Sequence, residues 1–165
     1  MSVKFVTPLL VLAAALAGYG PSIIKAPPSP PPTEVTPGST FTVVRGFIVP
    51  SGDSSVFFQD ARLYPDGNIQ PNLPYCELSV GAASADGMLI KEGIFTVSKV
   101  TYDEHSAGAG GTDVSITGFH LQEASSGKTY LMDCMLPLLS RGALFVTPAD
   151  IQGAVADHME LKVAP

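Results

Sequence analysis

From about residue 40 to residue 136 apolar and polar side chains alternate with period two, the pattern of strands that bury one face. Residues 40–44 continue through Phe47, Ile48 and Val49 as one strand or two short ones, and Pro50-Ser51-Gly52-Asp53 stops them. Residues 56–63 form the next predicted strand, ended by the turn Pro65-Asp66-Gly67, in which proline presets φ and glycine accepts positive φ. Residues 75–80 alternate cleanly. Residues 93–102 place Ile94, Thr96, Ser98 and Val100 on one face and Phe95, Val97 and Lys99 on the other. Residues 113–121 and 129–136, joined by a turn at 125–128, complete six or seven strands.

The period changes only near the end. Thr147 suits an N-cap, Pro148 the first helical position and Asp150 the positive end of a helix dipole. Ile151, Val155 and His158 or Met159 then share one side of a helix predicted over 148–159, which packs on a sheet edge or open end. Short strands with Gly and Pro turns followed by one helix predict a mainly β fold. It is an antiparallel β-sandwich or a partly open barrel with one C-terminal α-helix.

The first residues follow a different rule. Lys4 precedes an apolar run over 5–17, with small residues Ala15 and Ala17 two apart, the layout of a secretory signal. The run is shorter than the roughly 20 residues of a membrane-spanning helix. Residues 1–18 are therefore read as a signal peptide, 19–38 as a Pro-rich linker and 39–165 as a disulfide-linked β domain with its C-terminal helix. Leu16-Ala17-Gly18 has the form that precedes a lipidated cysteine, but Tyr19 stands in the cysteine's place, and a phenol cannot carry the lipid. Three fates stay open: cleavage after Ala17, descent from an anchored lipoprotein with the anchor lost, or a retained signal. The linker run Ala26-Pro27-Pro28-Ser29-Pro30-Pro31-Pro32 favours extended polyproline II geometry and acts as a spacer.

Composition narrows the function classes. The chain carries a net charge of −6 with only nine basic residues, which argues against nucleic acid, whose phosphates require clustered Lys and Arg. Cys76 and Cys134 are the only cysteines. In an exported chain such a pair predicts a disulfide. Closing that loop would remove about 4 kcal/mol of unfolded-state entropy.

No motif assembles a chemical site, so no catalytic, cofactor-binding or metal-ligating residue is assigned, and the chain is expected not to be an enzyme. Asp103-Glu104-His105 has metal-ligand residue types but begins a glycine-rich loop, 106–111, and neither His120 nor His158 has a spacing that points to it. That glycine run lacks the Lys and Ser or Thr of a phosphate-binding loop. Asp60, Asp66, Glu77, Asp86 and Glu92 lie scattered near turns, with nothing selecting a catalytic pair.

The runs Val56-Phe57-Phe58-Gln59-Asp60, Pro74-Tyr75-Cys76-Glu77-Leu78-Ser79-Val80 and Gly93-Ile94-Phe95-Thr96-Val97 follow one another in a suggestive order. Tyr130-Leu131-Met132-Asp133-Cys134 and Thr147-Pro148-Ala149-Asp150-Ile151 come after them. Together they resemble a pattern in an uncharacterised family of proteobacterial envelope proteins, many of them lipoproteins, over most of residues 40–160. Ala61 stands where glycine is usual in that pattern, and Tyr19 where the lipidated cysteine would be, which puts membrane association in question. The resemblance implies a two-cysteine, disulfide-linked β domain in the envelope and implies no activity.

Three functions are expected to compete. The first is an exported, periplasmic or envelope-resident, non-catalytic protein that binds an envelope protein partner or supports an assembly. The second is a carrier of a small apolar ligand in a β-core pocket lined by Phe41, Phe47, Phe57, Phe95 and Phe119. The third is a hydrolase or metalloenzyme using His105 or His120.

Overall fold

The computed structural model describes residues 34–65, 67–107, 109–111, 113–138 and 145–165. The signal and most of the Pro-rich linker lie outside them. In chain order the elements are β1 (Thr40–Val43), β2 (Phe47–Val49), β3 (Ser55–Gln59), β4 (Arg62–Tyr64), β5 (Tyr75–Ser79), β6 (Met88–Ile90), β7 (Gly93–Ala107), β8 (Asp113–Glu123), β9 (Thr129–Pro137), α1 (Pro148–Val155) and β10 (Met159–Lys162). Eight of the strands form one antiparallel sheet in the order β10-β1-β7-β8-β9-β5-β3-β4, which curls into a half-barrel. The partly open barrel, rather than the sandwich, is the architecture. β2 and β6 pair separately as a short ribbon.

The core face of the sheet follows the alternation. Phe41 and Val43, Phe95 and Val97, Phe119 and Leu121, and Met132, Cys134 and Leu136 are all buried in one cluster. Cys76 and Cys134 are directly opposed on β5 and β9, and their sulfurs are bonded, with the Cα atoms 4.0 Å apart. This bond belongs to oxidising, non-cytoplasmic surroundings. Among the described residues no helix is long and apolar enough to cross a membrane.

Several expectations need correction. In β7 the alternation breaks at Ser98, because Val97 pairs with Leu121 while Lys99 already pairs with His120. This bulge gives the strand one extra residue. Val100 therefore packs against the core with Phe95 and Val97, instead of sharing a face with Ile94 and Thr96. The predicted strand 56–63 is a hairpin, β3–β4, that reverses at Asp60 and Ala61. Both residues have positive φ, 49° and 64°, as a two-residue turn matched to strand twist requires. Ala61 thus occupies a conformation that glycine adopts without strain.

The helix starts as predicted but ends early. Thr147 and Asp150 form a reciprocal capping box, and Pro148 opens the first turn. The helix stops at Val155, and Met159 begins β10 rather than extending α1 over 148–159. Pairing with β1, from Thr40↔Lys162 to Val43↔Met159, gives this segment its ladder.

Helix α1 spans the opening of the half-barrel. It packs on β3, β4 and β5 near one edge of the sheet and on β10 at the other. The Ala61 amide donates to the carbonyls of Gly153 (2.9 Å) and Ala154 (3.1 Å) at the helix C-terminus. From the same helix the Gln152 amide donates to Met159 O (3.0 Å), and its Oε1 accepts from Leu161 N (2.8 Å). One side chain thereby stands in for a missing strand beside β10 and blunts that edge.

On the other face of the sheet Gln59 is buried and holds the loop before β5. Its Nε2 donates to Gln70 O (2.8 Å), and its Oε1 accepts from Gln70 N (2.7 Å). Ile69 of that loop covers a second small core of Tyr75, Val114, Met135, Phe57 and Ile116.

Candidate functional site

Four large apolar side chains stand in solvent among the described residues: Ile48 at 60%, Leu89 at 58%, Ile94 at 50% and Val44 at 43% exposure. All belong to one structural unit. β2 follows β1 after three residues and β6 precedes β7 by two, so the β2–β6 ribbon continues the β1–β7 ladder past a bend. The ribbon's inner residues Phe47, Val49 and Ile90 are buried in the main core. Period two then turns Ile48 and Leu89 outward, where they oppose one another across the two strands. Ile94 and Val44 point outward for the same reason, since Phe95 and Val43 beside them point in. Each exposed chain leaves about 1 kcal/mol of burial energy unrealised. Such side chains gathered on one element mark an interaction surface more often than isolated ones do.

A groove runs along the same arm. β8 accompanies β7 as far as the pair Phe95↔Glu123, and Ala124 N then donates to Ile94 O at 2.9 Å. There the chain turns back through 125–128, with Gly127 at φ 71° and its amide on Glu123 O at 2.8 Å. Between this hairpin and β6 lies a cavity of about 270 Å³ lined by Met88, Leu89, Ile90, Lys91, Phe95, Glu123, Ser125, Ser126, Lys128 and Tyr130. The Phe95 and Tyr130 rings meet edge to face at 5.4 Å.

The groove's carboxylate is already engaged. Glu123 accepts from the hydroxyls of Ser126 and Ser125, the latter at 2.8 Å, and from Tyr130 at 3.4 Å. The Ser126 and Ser125 hydroxyls, with smaller help from Tyr130 and Lys128, hold its carboxyl below the usual range. Burial, followed by the adjacent Glu123 charge, pushes the Tyr130 phenol up.

The residues singled out for chemistry fall elsewhere. His120 and Asp133 lie half-buried on the outer face of the sheet, with Glu77 directly across from Asp133. Burial and then the Glu77 charge push the Asp133 carboxyl up, while His120 opposes the shift. Gly118 makes room for this group: a methyl there would meet Thr101 Oγ1 at 2.5 Å and Asp133 Oδ1 at 2.8 Å. Sequence spacing did not reveal the Glu77–Asp133 approach, because Asp133 reads as an ordinary polar position of β9.

His158 packs its ring against Phe47 (5.7 Å) and Phe58 (5.9 Å), and its Nδ1 is buried without a partner. Asp103 is exposed. Asp66 and the side chains of Glu104 and His105 lie outside the described residues. Among the described residues no three His, Cys, Asp or Glu side chains group as a metal site. The five phenylalanines expected to line a pocket do not share one. Phe57 sits on the opposite face with Tyr75, while Phe41 packs on Phe119 and Phe47 on Phe58.

No protein-family model, no curated protein and no solved structure matches this chain.

Proposed function

We propose that the chain is an exported, non-catalytic envelope protein that docks another protein through the outer face of its bent two-stranded arm. The observation that carries this reading is the gathering of Ile48, Leu89, Ile94 and Val44 on that one face. The arm's inner side is bound into the core through Phe47, Val49 and Ile90, so the exposed side is presented on a fixed support. The Cys76–Cys134 bond suits an oxidising compartment, in agreement with the signal-like start of the chain.

The test is co-purification of the full-length protein from mildly cross-linked envelopes, beside an Ile48→Ser/Leu89→Ser variant. A stoichiometric partner retained by the parent and lost by the variant supports the reading. Recovery of both proteins without a partner overturns it. The variant's unfolding midpoint must match the parent's, which is expected because both side chains are largely in water already.

A further inference from the structure

We propose that the groove between β6 and the β8–β9 hairpin takes an extended acidic peptide segment of a partner as an added strand on β6. This rests on the protein-docking reading and assigns the chemistry of the segment that is bound.

The vacant strand position follows from the topology. Within the main sheet β7 is flanked by β1 and β8. Past the bend β2 continues the line of β1 and β6 that of β7, but β8 has turned away after Glu123. β6 is left with β2 as its only strand neighbour among the described residues. A strand entering there would occupy the place that β8 gives up, and main-chain pairing to an exposed sheet edge is a recurrent mode of peptide capture.

The groove also selects side chains. At about 270 Å³ it lies below the usual range for a small-ligand pocket but accommodates a side chain or two pointing inward from a strand. Its floor is the edge-to-face pair Phe95 and Tyr130, which favours an apolar residue. Lys91 on one wall and Lys128 on the other are both exposed. The single carboxylate between them, Glu123, already accepts from three hydroxyls. The two ammonium groups against the one ionised carboxylate leave the groove lining a surplus of one positive charge in a chain of net charge −6, so carboxylates at the alternate positions of the strand complement it better than ammonium groups do.

The probe is a short, end-capped peptide of alternating valine and glutamate, titrated into the full-length oxidised protein. Fluorescence anisotropy reads affinity, and amide hydrogen exchange reads location. The expected result is binding in the range of about 10–100 μM, with slowed exchange at Met88–Ile90. A valine–lysine peptide should bind at least about tenfold more weakly, and Lys91→Glu/Lys128→Glu should invert that preference. N-methylation of alternate peptide amides on the pairing edge should abolish binding.

Equal affinity for both charge types, no binding at about 1 mM, or protection away from β6 would overturn the inference. Self-association that protects the same amides and is not displaced by peptide would also overturn it, making the occupant a second copy of the chain. If peptide binding fails while an Ile48- and Leu89-dependent partner is still captured, the groove is discarded and the docking reading stands. If no partner is captured, the docking reading itself falls.

Discussion

Replacing Gln152 with Ala tests whether one helical side chain secures the last strand of the sheet. The Gln152 amide makes two hydrogen bonds to β10, at 3.0 Å to Met159 O and 2.8 Å to Leu161 N. Each is worth about 1 kcal/mol net, and alanine returns a few tenths through its higher helix propensity. The variant should therefore lose about 1.5 kcal/mol, read from urea unfolding with the slope unchanged. The loss is local, so the Leu161 amide should exchange roughly tenfold faster while the β8 and β9 amides slow or quicken only with global stability.

A second variant separates hydrogen bonding from packing. Gln152→Glu keeps an acceptor for Leu161 N but sets a carboxylate against Met159 O, so at neutral pH it should be less stable than Gln152→Ala and should recover in acid, where a protonated carboxyl can donate. A loss below about 0.3 kcal/mol with Leu161 protection unchanged would refute the reasoning. Water would then replace the side chain at no cost, and β10 would be held by β1 alone.

Three further outcomes follow from the same structure. Ala61→Gly removes a left-handed alanine at φ 64°; thermal unfolding should show a gain of up to about 1 kcal/mol, with glycine's greater unfolded-state freedom offsetting part of the relief. A folded-state pKa raised by burial and Glu77 means that ionised Asp133 weakens the fold above that pKa, and the penalty vanishes below the unfolded value. Asp133→Asn should accordingly be more stable than the parent at pH 7, with the difference shrinking as pH falls through the raised pKa, as measured by urea midpoints across pH. Cys76→Ala with Cys134→Ala opens a loop of sequence separation 58 and should cost about 4 kcal/mol; a loss under about 1 kcal/mol would mean that the unfolded chain is already compact around that pair.

The alternation alone determined much of the fold. It marked strand segments at 40–49, 75–80, 93–102, 113–121 and 129–136, put Phe95 and Val97 on the face opposite Ile94 and Thr96, and placed Cys76 and Cys134 in strand-like segments, but it did not mark β6 at Met88–Ile90. Thr147, Pro148 and Asp150 marked the helix start, because capping is a matter of three adjacent residues and their own backbone. These features are local, so the residues that cause them are neighbours in the chain.

Tertiary structure decided what periodicity cannot express. Met159 suits either a helix face or a strand, and β1, well over a hundred residues earlier in the chain, resolves the choice by offering an edge. The Ser98 bulge exists only relative to Leu121 and His120 on its partner strand. The reversal at Asp60 and Ala61 interrupts a run that reads as one strand, since neither residue carries the glycine signal that such a turn usually shows. The exposed apolar face proposed for docking was hidden for a related reason. Alternation puts Ile48 on the side opposite Phe47 and Leu89 on the side opposite Ile90, but whether a second layer covers that side is decided only in the assembled fold, where both stay largely exposed.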